Sequence, residues 1–345
     1  MKAIQILKPP DFALVDLPEP ACGPGQVVVR TAFCGLCGTD LEILHGSMRP
    51  GFARYPVVPG HEWTGVVEEI GPGVANCRVG DRVSVEGYLP CGRCAACRAA
   101  EYNHCEAHEQ IGMTHNGGFA ELVAAPAQSC HAVPDHIGLD TALMVEPAST
   151  VVRGMERARP QPGAKVAIVG CGTIGLIAAR VAALHDPAFI LGVDLAPTQE
   201  SMAIRAGVTQ FTTSTDAREL RERSGGPGWD LVVHCAYGLR ALKLSFDLAR
   251  VGGTMVVIGG APDAEQFQIS AHAFVLGDLH IEGILGYTPR SWVRTLDLLA
   301  DGKLKLGDLI THRTRLDQFP HALQFLQSRS EPTGKVAVSF VENSF

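Results

Sequence analysis

The architecture of this chain follows from one segment, Lys165-Val166-Ala167-Ile168-Val169-Gly170-Cys171-Gly172-Thr173-Ile174-Gly175. Its first five residues form an apolar run typical of a buried strand, and an apolar helical pattern continues through Leu184. Between them lies a G-x-G-x-x-G turn in the strand–turn–helix context that a dinucleotide site requires. The first glycine permits the tight turn, the second lets the backbone approach a pyrophosphate, and the third lets helix and strand pack closely. We therefore predict that the cofactor contacts Gly170, Gly172, Thr173, Ile174 and Gly175, with phosphate at the helix N-terminus.

Asp194 ends the next apolar run, residues 190–194. A carboxylate at this point accepts hydrogen bonds from ribose hydroxyls and repels a 2′-phosphate, which favours NAD over NADP. The alternative interpretation is an aspartate at a strand end that caps a turn with Pro197.

Strands and helices alternate around this segment, which predicts an α/β fold with a doubly wound parallel sheet over residues 150–286. Residues 1–149 are rich in Gly, Pro and Val and contain short apolar runs, a rhythm typical of an irregular β-barrel-like domain. Residues 287–345 hold an amphipathic helix and a final strand, and we expect them to return to the first domain.

Bulk composition excludes several classes of function. The net charge is −7 with no run of Lys or Arg, which disfavours a nucleic-acid partner. The chain has no run of about 18 apolar residues and its start lacks a signal-peptide core, so we expect no membrane partner and a cytoplasmic location. In that compartment the eleven cysteines are expected to be thiols or metal ligands.

Four of these cysteines are spaced as C-x2-C-x2-C-x7-C, at Cys91, Cys94, Cys97 and Cys105. Thiolates on one tight loop converge on a single tetrahedral ion, as in a closed structural zinc site. We predict a structural zinc lobe at residues 88–108.

A second set of metal-type residues consists of Cys37 and His61, which lie in separate loops. Together they suit a zinc site with an open position. Taken alone, Cys37 is more simply an inert buried thiol, and His61 a histidine of the core.

Five motifs in order connect these features: Cys37-Gly38-Thr39-Asp40, Gly60-His61-Glu62, the four-cysteine lobe, Gly117-Gly118-Phe119-Ala120-Glu121 and the G-x-G-x-x-G turn. Over nearly its whole length the chain resembles the medium-chain, zinc-dependent alcohol dehydrogenase superfamily. The resemblance implies a GroES-like catalytic domain beside a Rossmann domain, two zinc ions per chain, NAD as cofactor and a homodimer or homotetramer.

Roles for residues of the second metal site follow from the resemblance. Cys37 and His61 correspond to ligands of the catalytic zinc, and Thr39 to the hydroxyl that receives the substrate's proton. Asp40 resembles the carboxylate that orients the ligands from beneath.

The third ligand distinguishes branches of the superfamily. Simple alcohol dehydrogenases place a cysteine just before the nucleotide domain, whereas this chain has Glu146-Pro147, similar to the sorbitol and polyol branch. The resemblance therefore implies Glu146 as the third ligand, with Glu62 able to approach the metal when water leaves. The alternative for Glu146 is a surface or helix-capping acid.

The resemblance also bears on the proton relay and on the residue that binds the cofactor pyrophosphate. Many relatives place a histidine five residues after the first zinc ligand, where this chain has Glu42, so His45 or bulk water completes the relay beyond Thr39. Lys335 lies in the last strand, where relatives place a basic residue on the cofactor pyrophosphate, and the alternative is an ordinary solvated lysine.

The substrate implied is a secondary alcohol of a polyol, cyclitol or sugar-derived compound, or the corresponding ketone, with hydride transferred to or from NAD. His115, Tyr287 and Arg290 are candidate pocket residues, and each is equally consistent with surface or packing roles. Three alternatives stay open: a threonine-type or simple secondary-alcohol dehydrogenase, a zinc-free reductase of the same superfamily, and a zinc-ribbon redox sensor that regulates nucleic acid. The acidic balance disfavours the last of these.

Overall fold

The computed structural model describes residues 1–260, 266 and 268–341. The strands are β1 Lys2–Lys8, β2 Asp11–Asp16, β3 Gln26–Leu36, β4 Glu62–Ile70, β5 Arg82–Val85, β6 Tyr88–Leu89, β7 Glu109–Gln110, β8 Leu122–Pro126, β9 Cys130–Ala132, β10 Lys165–Val169, β11 Phe189–Val193, β12 Gln210–Thr212, β13 Trp229–His234, β14 Ala249–Val257, β15 His280–Gly283, β16 Ile310–Arg315 and β17 Lys335–Ser339.

The α-helices lie between and around these strands. They are α1 Gly38–His45, α2 Ala95–Arg98, α3 Leu139–Ala142, α4 Val145–Ala158, α5 Thr173–Ala183, α6 Glu200–Arg205, α7 Ala217–Glu222, α8 Leu239–Leu248, α9 Ala271–Gly277, α10 Pro289–Ala300 and α11 Phe319–Ser328. Short 3₁₀ turns occupy Tyr102–His104, Ala127–Ser129, Pro197–Gln199, Gly307–Leu309 and Leu316–Gln318.

One sheet is six-stranded and parallel, in the order β12-β11-β10-β13-β14-β15. Strand β10 lies at its centre, where Val166 pairs with Ile190 on one side and Leu231 on the other. Its apolar run is explained by burial on both faces. The strand order reverses direction beside β10, and ligands of such sheets bind in the crevice at this switch point. The predicted doubly wound fold is confirmed.

The other main sheet is seven-stranded, and β3 is its longest member, pairing with β4, β8 and β17. Strand β17 runs antiparallel to β3, with Val336 opposite Leu36. The expected return of the C-terminal part to the first part of the chain is therefore confirmed. The exact domain limits stay a prediction.

Cores of the two parts are well filled. Trp63 on β4, Trp229 on β13 and Trp292 on α10 are among the largest fully buried side chains. Helix α4 packs against α5 and α10 and continues the core from one sheet to the other. Among the described residues, every helix is too short or too polar to cross a membrane.

Candidate functional site

A cavity of about 410 Å³ lies where the two sheets face each other. Cys37, Thr39 and Glu62 line one wall, and Gly172 and Thr173 line the other. A second cavity of about 530 Å³ continues from it over the carboxyl ends of β10 and β11, past Asp194. Cys37 and Glu62, two of the predicted metal residues, and the glycine-rich turn therefore face one continuous cleft.

The two loops that carry Cys37 and His61 are joined by Asp40. Cys37 is the N-cap of α1, and its backbone N–H donates to Asp40 Oδ2 at 2.8 Å. The other oxygen, Oδ1, accepts from Gly60 N at 3.2 Å and lies 3.7 Å from His61 Nδ1. Asp40 is 2% exposed. It holds the donor loops together, in agreement with the orienting role that the resemblance implies.

Cys37, His61 and Glu62 each offer a ligand atom, and these atoms all lie within 4.8 Å of one another. His61 Nδ1 and Glu62 Oε1 are buried and have no hydrogen-bond partner among the residues described. Buried polar atoms are nearly always paired, so two such atoms in one cluster need an explanation. A thiolate, an imidazole and a carboxylate form the donor set that zinc prefers, and the residues present fit that ion.

The electrostatics of this cluster favour added positive charge. Burial opposes protonation of His61, but Asp40 and Cys37 outweigh it and hold the pKa of His61 well above its usual value. Burial raises the pKa of Glu146 to about 7, and Glu62 and Asp40 add to the rise while His61 opposes it. A group of acids crowded in low dielectric is relieved by a cation.

Glu146 lies on the first turn of α4, and its electrostatic coupling to His61 places it near the cluster. It is not one of the three residues whose ligand atoms lie within 4.8 Å of one another. Within the described ranges its carboxylate has neither a hydrogen bond nor an ion pair. Its assignment as a zinc ligand stays a prediction.

Glu62 has a partner that the sequence did not indicate. Lys335 is 2% exposed and donates from Nζ to Glu62 Oε2 and to Leu36 O. Gly35 lies opposite Glu62 on β3, and an added Cβ there would come within 2.3 Å of Glu62 Oε2. The absence of a side chain at Gly35 therefore lets a lysine from β17 and a glutamate from β4 meet behind β3.

This pairing rules out the alternative interpretation of Lys335. Lys335 is not a solvated lysine, since it is buried and paired with Glu62. It does line the cleft that also includes Gly172. A contact between Lys335 and the cofactor pyrophosphate stays a prediction. In this structure the ammonium of Lys335 forms an ion pair with Glu62.

The four cysteines of the lobe converge as their spacing predicts. All four sulfurs lie within 4.8 Å of one another. Backbone N–H groups of Arg93 and Cys94 lower the pKa of Cys91 to about 6, and those of Glu106 and Cys97 lower the pKa of Cys94. Main-chain donors aimed at sulfur stabilise thiolates, which are the form that binds metal. These residues fit a closed tetrahedral zinc site.

Gly175 and Asp194 build the nucleotide side of the cleft. A Cβ on Gly175 would lie 1.8 Å from Gly170 O, so helix α5 reaches β10 only because that position is glycine. Asp194 is 7% exposed and accepts from Cys171 N at 2.7 Å and from Ala196 N at 2.9 Å. It therefore braces the glycine-rich turn and also caps its own turn, as the alternative interpretation expects, while its contact with the ribose hydroxyls stays a prediction.

Other predicted residues lie further away. His45 is exposed on the last turn of α1, whereas Thr39 and Glu42 line the cleft. Thr39 Oγ1 lies 3.8 Å from Cys37 Sγ.

The three candidate pocket residues lie outside the two cavities of the cleft. Tyr287 is wholly buried, packs against Tyr88 and Trp292 and accepts a hydrogen bond from Gly87 N, which is a packing role. The remaining two, His115 beside Glu109 and Arg290 on the first turn of α10, are at the surface.

Sequence reasoning also missed Arg329, whose guanidinium lies beside Gly172 at the meeting point of the two cavities. It follows helix α11 in a polar segment, where no motif marks it.

Comparison with known proteins agrees with this geometry. Residues 23–135 match the family model for an alcohol dehydrogenase GroES-like domain, and residues 173–301 match that for a zinc-binding dehydrogenase.

Among curated relatives, the chain is 31% identical to a sorbitol dehydrogenase of Halalkalibacterium halodurans, over 92% of this chain and 93% of that protein. It is 32% identical to an L-threonine 3-dehydrogenase of Saccharopolyspora erythraea over 99% of both. A Sinorhizobium meliloti protein, solved with bound NADP, superposes with a TM-score of 0.90 at 28% identity and covers 98% of each chain.

Proposed function

Because the chain belongs to the medium-chain, zinc-dependent alcohol dehydrogenase superfamily, we propose that it transfers a hydride between NAD and a secondary alcohol of a polyol, cyclitol or sugar-derived substrate. One observation carries the proposal: Cys37 and Glu62 of the Cys37–His61–Glu62 cluster line the same cleft as the glycine-rich turn. The residues that would hold zinc and those that would hold the cofactor thereby adjoin each other.

Cys37, His61 and Glu146 would hold the catalytic zinc, and Cys91, Cys94, Cys97 and Cys105 the structural one. Glu146 is preferred to Glu62 as the third ligand because Glu62 is already paired with Lys335. Glu146 has no such cationic partner among the described residues, and burial raises its pKa. Zinc bound there would act as a Lewis acid that polarises the substrate oxygen. The protein's own part is placement and proton transfer, since the cofactor carries the redox chemistry.

Within this proposal Thr39 accepts the substrate's hydroxyl proton. Its side chain lines the cleft and lies next to Cys37. Glu42, one turn further along α1, also lines the cleft, so the proton leaves along this face of the helix toward solvent. His45, on the last turn of the same helix, is exposed, and beyond Glu42 the proton passes to His45 or to bulk water.

We assign NAD rather than NADP on the basis of Asp194, whose buried carboxylate would repel a 2′-phosphate. The Sinorhizobium meliloti protein that binds NADP makes a direct comparison of the two cofactors necessary.

The deciding experiment is a panel of sorbitol, xylitol, butanediol, threonine and inositol derivatives, oxidised with NAD or NADP and followed by NADH or NADPH absorbance. Turnover of a polyol or cyclitol supports the proposal. Turnover of threonine alone would favour the second candidate, a threonine-type dehydrogenase, which rests on the 32% identity to such an enzyme over nearly the full chain.

Zinc content tests the third ligand separately. We expect about two zinc ions per chain in the wild-type protein and in Glu62→Gln, and about one in Glu146→Gln. Loss of zinc from Glu62→Gln with retention in Glu146→Gln would reverse the assignment. Absence of zinc from the wild-type protein would favour the zinc-free reductase.

We also infer a cytoplasmic homo-oligomer. All eleven cysteines are free, as expected in a reducing compartment. Strand β15 ends the six-stranded sheet with Ile281 exposed, and Phe274, Val275 and Leu276 of the neighbouring α9 are also exposed. An apolar sheet edge of this kind suits a second copy of the chain. Light scattering on the purified protein measures the assembly, and a monomer would contradict the inference.

A further inference from the structure

The two cavities of the cleft meet at a small set of residues. The cavity at Cys37 and the cavity at Asp194 share Gly172, Cys235, Ala236, Tyr237 and Arg329. If the nicotinamide end occupies the first cavity and the adenosine end the second, the pyrophosphate that links them must cross this junction. Arg329 is the cation of the shared set.

The guanidinium of Arg329 is close to the glycine-rich turn. Its Nη2 lies 3.3 Å from the point that a Cβ of Gly172 would occupy, and its Nη1 lies 3.7 Å from Asp194 Oδ2. Both oxygens of Asp194 already accept main-chain N–H groups. Within the part of the chain that the structure describes, the guanidinium donates no hydrogen bond. Its side chain is 49% exposed, so its donors are available to a ligand in the cleft.

The backbone around Arg329 is held firmly against the nucleotide side. Gln199 donates from Nε2 to Cys171 O and Thr333 O, and its Oε1 accepts from Thr333 N. Thr198 Oγ1 donates to Arg329 O at 3.3 Å. These bonds tie the segment that follows α11 to the glycine-rich turn. The fold therefore fixes the backbone of Arg329 beside the turn, within reach of which the guanidinium lies.

Two other cations line the cleft. Lys335 is paired with Glu62, and Arg240 lines only the cavity at Asp194, away from the junction. Planar guanidinium groups bind phosphate oxygens through paired hydrogen bonds. We propose that Arg329 binds the pyrophosphate of the dinucleotide and exchanges its contact with Asp194 for the phosphate oxygens when the cofactor enters. This assignment rests on the proposed function and names a residue that performs part of it.

Binding measurements with the zinc-loaded protein test the assignment. Dissociation constants for NAD, NADP and ADP-ribose are measured by calorimetry for the wild-type protein, Arg329→Gln and Arg329→Lys. We expect Arg329→Gln to weaken NAD and ADP-ribose by the same factor, about tenfold, because one charge-assisted contact is lost. Arg329→Lys keeps the charge without the fork, so we expect an intermediate loss.

Arg218→Gln is the matched control, because it removes the same charge from an exposed position of α7. Its affinities should equal those of the wild-type protein, and equal thermal midpoints of all variants would show that folding is intact. A loss confined to NADP would assign Arg329 to a 2′-phosphate and overturn the proposal. Unchanged NAD and ADP-ribose affinities in Arg329→Gln would also overturn it, with the proposed function intact. A wild-type protein that binds none of the three ligands would overturn both.

Discussion

Replacing Lys335 by Met should cost about 3–5 kcal/mol of the free energy of unfolding, because it leaves the carboxylate of Glu62 buried without its partner. Glu62 is 1% exposed and Lys335 is 2% exposed, so neither regains solvent in the folded protein. Glu62→Gln should be destabilising for the converse reason. The double variant leaves no unpaired charge, and we expect a coupling free energy on the order of 3 kcal/mol between the two sites.

Urea unfolding of the zinc-loaded protein, followed by tryptophan fluorescence, measures this cycle. Trp63, which follows Glu62 on β4, and the other two tryptophans, Trp229 and Trp292, are all buried, so the combined emission reports loss of the protein core. Lys303→Met serves as the control, since the Lys303–Asp301 pair is exposed and should contribute less than about 1 kcal/mol. If the losses of unfolding free energy in the two single variants sum to the loss in the double variant to within about 0.5 kcal/mol, the buried pair is not coupled and the reasoning fails.

The pH dependence of the same cycle has a definite sign. Burial opposes the charged form of Lys335, but Glu62 and Cys37 outweigh it, so the pKa of Lys335 is raised above its usual 10.5. A lysine with a raised pKa contributes stability that is complete below the unfolded value and is lost as the pH rises through the folded value. The coupling should therefore be constant from pH 7 to about 10 and decrease only above that.

Other substitutions probe the metal sites and a buried histidine. Cys37→Ser and His61→Ala should abolish alcohol oxidation, measured by turnover, while NAD still binds, measured by calorimetry. Turnover near the wild-type rate in either variant would show that the substituted residue is not part of the catalytic site. Cys94→Ala should lose one zinc per chain and lower the thermal midpoint, whereas Cys22→Ala, outside both clusters, should retain two zinc ions; equal metal content in both variants would contradict the structural site. Burial lowers the pKa of His234 to about 4 from 6.5, so the stability that depends on its neutral form is complete above pH 6.5 and falls by roughly 3 kcal/mol on acidification to pH 4. His234→Gln should flatten urea-derived stability across this window, and an unchanged slope would show that another group titrates there.

Local sequence patterns were enough to predict the central strand, the glycine-rich turn and the clustering of the four cysteines. The apolar run of β10, the glycine turn and the cysteine spacing each depend on residues close together in the chain, and the structure confirms the strand, the turn and the clustering. Cys37 and His61 are further apart, and only the ordered motifs made them a pair.

Two contacts that depend on the tertiary fold could not be predicted from the sequence. Lys335 meets Glu62 because β17 and β4 flank β3 and because Gly35 leaves space between them. Arg329 reaches Gly172 because Gln199 holds the following segment in place. Each contact joins residues that are far apart in the sequence, and single-chain patterns contain no signal for either.

The position of β17 has a consequence for biosynthesis. Residues 26–132 supply most strands of the seven-stranded sheet, yet the strand that pairs with residues 33–36 of β3 emerges from the ribosome only after the entire parallel sheet has been made. Until then residues 33–36 of β3, beyond the segment that pairs with β8, present an open edge, and such edges attract other nascent chains. Chaperone demand during translation should therefore be concentrated on the N-terminal third, and a stop codon just before β17 should yield inclusion bodies rather than a soluble fragment.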